Sequence, residues 1–227
     1  MVPERADLGT SKGARTRLRI RTAALRSFRE RGYDATTIRV IADELEMSVG
    51  ATNYHFASKN QLIQELYLDV QHAHREAAMP LLAEEPRLVE RLRIVYETGL
   101  AQLEPYHAHA GEFLSAAVSP RSPINPLASE SAEALSIIEG LFAEAVDGAD
   151  AGGVPAGIRS LLPRALVLGH LLLALFWVYD TSEGRRRTRT LLDRGLALFG
   201  RVLPLTRVPV LRGAITELLS LVGEVRA

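Results

Sequence analysis

Residues 36–59 read TTIRVIADELEMSVGATNYHFASK. Ile38, Ile41, Ala42 and Leu45 fall at i, i+3, i+4 and i+7, the spacing of a short, one-faced helix. Glu46-Met47-Ser48 is a tight connection, and Ser48 is placed to cap a second short helix over about Val49 to Tyr54. Two short helices joined by a three- or four-residue turn make the helix-turn-helix pattern. In it the second helix enters the DNA major groove and the first crosses the backbone. Glu46 stands where a glycine often serves the turn. A positive φ there would carry strain of about 1 kcal/mol.

The side chains suit that task. Gly50, Ala51 and Thr52 are small enough for close approach, and the Ala51 or Thr52 methyl can pack on a thymine methyl. The Thr52 hydroxyl can reach a base edge, and Asn53 can pair with adenine or serve a backbone contact. Thr37, Tyr54, His55 and Lys59 are donors for phosphate oxygens. The Arg-rich segment before residue 20 suits either phosphates or a minor groove.

Working outward, the chain is helical almost throughout, with no alternation that calls for a sheet. Arg15 to Arg31 carries Leu18, Ile20, Ala24, Leu25 and Phe28 near one stripe, ended by Gly32. Ser58 to Gln61 has capping-box spacing and opens a helix predicted to end at Met79, before Pro80. Further helices are predicted over 86–103, 108–118, 132–146, 158–179, 185–202 and 208–225. Loops fall at 119–131 and 147–157. The expected division is residues 1–62 as a DNA-binding domain and 63–227 as a larger body.

Composition sets the bounds. Of 227 residues 47% are hydrophobic, enough for a sizeable core, and the absence of cysteine excludes disulfides, zinc-thiolate sites and a thiol nucleophile. The net charge is zero, yet residues 1–60 carry +4 and the remainder −4. A basic end on an acidic body suggests a polyanion-binding module. Residues 1–12 lack the apolar core of a secretory signal, so the cytoplasm is the expected compartment. Ala165 to Tyr179 is too short a run to span a membrane and reads as a helix buried in the fold or in a subunit interface. No metal-ligand spacing, phosphate loop or nucleophile elbow occurs, so neither a metal site, a cofactor nor an enzyme is expected.

The order and spacing of Ala23-Ala24, Phe28, Gly32-Tyr33, Thr36-Thr37-Ile38, Ile41-Ala42, Ser48-Val49-Gly50-Ala51, Asn53-Tyr54-His55-Phe56 and Ser58-Lys59 resemble the DNA-binding domain of TetR-type (TetR/AcrR) transcriptional repressors. The likeness covers residues 20–62. It implies an all-α homodimer with an N-terminal three-helix helix-turn-helix domain and a larger helical body that dimerises and holds a small-molecule effector. Binding of the effector would spread the heads and release a double-stranded DNA operator. By the family pattern Thr37, Tyr54, His55 and Lys59 contact phosphate, while Ser48, Val49, Ala51, Thr52 and Asn53 face the groove.

Past about Tyr67 no residue-by-residue match guides the reading. The helices near 158–179 and 185–202 are the expected dimer contacts. The ligand pocket is sought at Tyr96, Tyr106, His107, Phe113, Phe142 and Trp177, a largely apolar set with a few polar handles. A DNA-binding dimer without an effector is the alternative. A preformed apolar cavity of several hundred cubic ångströms would favour the ligand-responsive reading.

Overall fold

The structure, a computed structural model, describes residues 12–150 and 154–224. The first residues of the basic arm, Arg5 among them, lie outside these, as do residues 151–153 and the predicted last residue of the final helix, Val225. Among the described residues there is no strand. The helices are α1 (Lys12–Ala35), α2 (Ile38–Glu44), α3 (Val49–His55), α4 (Lys59–Glu84), α5 (Leu88–Leu103), α6 (Ala110–Ala117), α7 (Ala132–Asp147), α8 (Ala156–Arg159), α9 (Leu162–Tyr179), α10 (Arg186–Val202) and α11 (Pro209–Glu224). A 3₁₀ segment, Glu104–His109, joins α5 to α6.

Gly32 breaks α1 with φ 79° and ψ −173°, a backbone conformation essentially reserved for glycine. A side chain there would also collide with Glu112 and His109 of the body, His109 Nδ1 lying only 2.6 Å from an ideal Cβ. Thr36 follows, buried, its hydroxyl donating to the Gly32 carbonyl at 2.7 Å and lying 2.9 Å from the Ser27 hydroxyl. Leu18, predicted to face inward, is exposed, because the buried stripe begins only at Ile20.

Three predicted boundaries move. α4 continues through Pro80 to Glu84. The proline removes one bond to the Glu76 carbonyl, but both residues are solvent-facing while Ala78 and Leu82 are buried and hold the helix. The helix predicted over 158–179 is two: α8 ends at Arg159, and Pro163 opens α9 at a position where its missing N–H costs nothing. The segment 108–118 splits into 3₁₀ and α6.

Two apolar clusters result. The first joins Ile20, Ala24, Phe28, Ile41, Phe56 and Leu62 of the head to Ile63, Ala117 and Ile124 of the body. The second is formed in the body by α4, α5, α7, α9 and α10, with Leu92, Val95, Leu141, Phe142 and Val167 at its centre. α9 is the one described helix long and apolar enough to cross a membrane, and it carries the buried residues Leu166, Val167, His170, Leu173 and Trp177.

Candidate nucleic-acid interface and apolar cavity

The turn between α2 and α3 is a complete helix-terminating motif. The Met47 N–H donates to the Ala42 carbonyl at 2.9 Å and the Glu46 N–H to the Asp43 carbonyl at 3.2 Å, with Glu46 at φ 55° between them. The strain anticipated from the sequence is therefore present. Glu46→Gly is expected to raise stability by about 1 kcal/mol, read as a higher midpoint in urea unfolding. An unchanged or lower midpoint would show that the left-handed turn costs this chain nothing.

Two caps hold the pair of helices. Thr37 Oγ1 accepts from the Val40 N–H at 3.1 Å, and Ser48 Oγ accepts from the Ala51 N–H at 3.1 Å. On α3, Ser48, Val49, Gly50, Ala51, Asn53 and Tyr54 are exposed, Tyr54 at 87%, and His55 is half-buried edge-on to Tyr54. Thr52 corrects the sequence reading. It is 0% exposed, and its hydroxyl donates to the Ser48 carbonyl at 3.2 Å, so it packs the helix onto the head and offers nothing to a base. Gly50 is exposed on α3, as its small size suggested. A side chain there would meet almost nothing, so its smallness serves no internal packing and leaves the outer face of α3 open to close approach.

Lys59, the first residue of α4, holds its ammonium 3.6 Å above the Tyr33 ring. Partial burial pushes its pKa down, against the opposing pull of Asp34 and Glu112. The arginines of α1 are largely committed within the protein. Arg17 donates to the His55 carbonyl at 2.8 Å, pairs with Glu65 and lies over the Phe56 ring, which makes it a brace for the end of α3. Arg21 pairs with Glu65 and Asp69, and Arg26 and Arg31 with Glu44. These four thus tie α1 to α4 and α2, a role the sequence reading gave to none of them. Beside α3 lies a polar surface cleft of about 380 Å³, lined in part by Arg17, Asn53, His55, Gln61 and Glu65.

A second, larger cavity of about 590 Å³ lies between the two apolar clusters. Leu66, Val70 and Gln71 of α4, Phe113 and Leu114 of α6, Ile138 of α7, and Leu168, His170, Leu171 and Trp177 of α9 contribute to its wall. Of the six residues proposed from sequence, Tyr106, Phe113 and Trp177 line it. The other three do not. Tyr96 is buried with its hydroxyl donating to the Leu166 carbonyl at 3.1 Å, and Phe142 is fully buried beside it. His107 is bound through Nε2 to the Trp177 carbonyl at 3.1 Å and through Nδ1 to Arg185 at 2.6 Å, which fastens the end of α9 rather than facing the cavity. Phe113 turns outward from the cavity as well as into it: its ring packs edge-on against Phe28 and Tyr33 of the head, both at 5.8 Å.

His170 of α9 is buried and is part of the cavity wall. Its ring stacks on His74 at 5.8 Å, and Gly99 makes room for both, since a Cβ there would fall 2.6 Å from His170 and 2.9 Å from His74. Burial first, then the neighbouring His74, pushes the His170 pKa down to about 3, and burial lowers that of His74. Both depressed values mean that the unfolded chain takes up protons first. This stability is present above the ordinary value of 6.5 and is lost as pH falls toward the folded value. From pH 7 to 5, His170 alone is expected to remove about 2 kcal/mol in urea unfolding. His170→Phe should flatten that slope, and a wild-type stability that does not fall over this range would contradict the neutral, buried pair.

Comparison with known proteins places this arrangement. A family model described as bacterial regulatory proteins, tetR family, matches residues 20–66, and one described as tetracyclin repressor-like, C-terminal domain, matches residues 91–221. The HTH-type transcriptional repressor KstR2 of Mycobacterium tuberculosis is 34% identical over 84 residues, 36% of this chain. That match spans only 40% of the relative's length. The TetR transcriptional regulator of Nitrosomonas europaea superposes with a TM-score of 0.59 at 18% identity, covering 81% of this chain and 96% of its own. A bacterial regulatory protein of the tetR family from Rhodococcus RHA1 superposes with a TM-score of 0.51 at 26% identity, covering 86% and 98%. The C-terminal model alone spans more than half of the sequence, and with the helix-turn-helix head before it the chain belongs to the TetR family of transcriptional regulators.

Proposed function

We propose that this regulator is a ligand-responsive repressor, which binds a palindromic operator as a homodimer and releases it when a small, largely apolar molecule enters the body. The observation that carries the reading is the 590 Å³ cavity in the body, whose wall includes Phe113, the residue that packs against Phe28 and Tyr33 of the head. A solid core there would have favoured a dimer without an effector, and mostly apolar cavities of this size are where small molecules bind. The naming of the M. tuberculosis relative as a repressor supports the direction of control. Residues to 62 act as the DNA-binding head. Ser48, Val49, Ala51 and Asn53, with Gly50, meet the groove, while Thr37, Tyr54, His55 and Lys59 meet phosphate. Homodimerisation runs through α9 and α10. Support comes from their exposed apolar stripes: Leu172, Phe176 and Tyr179 on the first, Leu191, Leu198 and Val202 on the second.

The test is selection of bound sequences from randomised duplex DNA at about 0.15 M salt, where nonspecific binding is weak. The expected product is a palindrome with half-sites about one helical turn or more apart. On that duplex Lys59→Ala should weaken binding to all sequences and flatten the salt dependence, whereas Asn53→Ala should change which sequence is preferred. No enriched palindrome from a folded, dimeric protein would overturn the operator reading.

A further inference from the structure

Among the described residues no Asp, Glu, Lys or Arg side chain contributes to the wall of the 590 Å³ cavity. A charged group drawn into its apolar depth would find no counterion in the wall, and a charge taken out of water without one is disfavoured. The few polar groups of the wall are mostly engaged already. The Tyr67 hydroxyl donates to the Ile124 carbonyl at 2.8 Å, Ser131 Oγ donates to the Asn125 carbonyl at 3.0 Å, and the Trp177 Nε1–H donates to Glu104 at 3.3 Å.

Two side chains of the wall are different. Gln71 Oε1 and His170 Nδ1 are buried and have no hydrogen-bond partner. Buried polar atoms are almost always paired, and these two have no partner within the protein, so both are open to a group carried by an occupant of the cavity. Both belong to the wall of the same cavity, and His74 links them. Gln71 precedes His74 by three residues on α4, one helical turn on the same face, and His74 stacks on His170. Neutral imidazole offers one donor and one acceptor, and an amide oxygen only accepts. A hydrocarbon would leave both unmet, and a ketone or ether, which cannot donate, would leave Gln71 Oε1 unmet. A hydroxyl donates once and accepts twice, so it can serve both.

We propose that the cavity takes an uncharged, mainly hydrocarbon molecule bearing a hydroxyl, an alcohol or a phenol, and that Gln71 of α4 and His170 of α9 hold the hydroxyl. This rests on the reading of the cavity as the effector site.

Trp177 is the chain's one tryptophan and lines the cavity, so its emission reports an occupant directly. The full-length protein is titrated at pH 7.5 with 1-decanol, with its isomer methyl nonyl ether, and with decanoate. 1-Decanol is expected to change the emission saturably, the ether to bind about fivefold to tenfold more weakly for want of a donor, and decanoate more weakly still. In Gln71→Met the preference for the alcohol over the ether should shrink to within about twofold. His170→Phe serves the same comparison if Gln71→Met does not fold. Decanoate binding as well as decanol, or an ether that matches it, would overturn the ligand class while leaving the cavity as a binding site. A preference for decanol that survives in the folded variant would overturn the assignment to these two residues. No change in emission or melting temperature with any of the three would overturn the cavity itself as the effector site.

Discussion

Replacing Arg91 by methionine is expected to destabilise the body by about 3–5 kcal/mol, a large part of the 5–15 kcal/mol that holds an ordinary domain folded. Arg91 is 6% exposed and has no carboxylate partner among its hydrogen bonds. Its guanidinium donates instead to four backbone carbonyls: Leu82 and Glu85 (2.7 Å) at the end of α4, Glu144 (2.8 Å) and Ala145 (2.8 Å) at the end of α7. Helices finish with unpaired carbonyls and a partial negative charge, so one buried cation here satisfies two helix ends at once. Methionine fills the space and takes this donor from the Leu82, Glu85 and Ala145 carbonyls, while Glu144 keeps only the Gly148 N–H. Arg91→Lys should recover only part of the loss, because a single ammonium cannot reproduce the planar fork. Gly148→Ala should act in the same direction, its new methyl driven into the guanidinium. Urea unfolding decides the matter: a loss below about 1 kcal/mol for Arg91→Met would mean that water replaces the guanidinium freely.

The second large effect is on DNA. Ala51→Glu is expected to weaken binding to the selected duplex by at least about a hundredfold while leaving the unfolding free energy in urea within about 0.5 kcal/mol. Ala51 is exposed in the middle of the outer face of α3, so the fold has nothing to lose there beyond the ordinary scatter of surface substitutions. A carboxylate at that point would displace an apolar contact to a base and sit among phosphates, and a specific base contact is worth about 1–3 kcal/mol before any repulsion is added. Thr52→Val, which lies one residue away but faces inward, should do the reverse: little change in sequence preference and a small change in stability. If Ala51→Glu binds the duplex as well as the wild type, α3 does not enter the groove.

Much of this was legible in the sequence where the physics is local. The caps at Ser48 and Ser58 and the glycine stop at Gly32 all depend on side chains within a few residues of the feature they make. Thr52 was misread because α3 is only seven residues long, and the inward face of so short a helix is set by what it packs against, not by its own periodicity. The pocket residues failed for a different reason. Tyr96 and Phe142 are of the same chemical kind as Tyr106 and Phe113, but a cavity is the space left where helices diverge, and no single segment encodes where three or four helices fail to meet. Pro80 was read by its local preference, which tertiary packing around Ala78 and Leu82 overrode.

Phe113 has one face in the cavity and one against Phe28 and Tyr33 of the head. A guest that shifts this ring therefore acts on the head without any intervening element, and the head acts equally on the guest. Linkage then requires reciprocity: whatever factor the guest takes from operator affinity, the operator must take from the guest's. The apparent dissociation constant of a cavity ligand should thus depend on how much operator DNA is in the cuvette, by the same factor measured in the opposite direction.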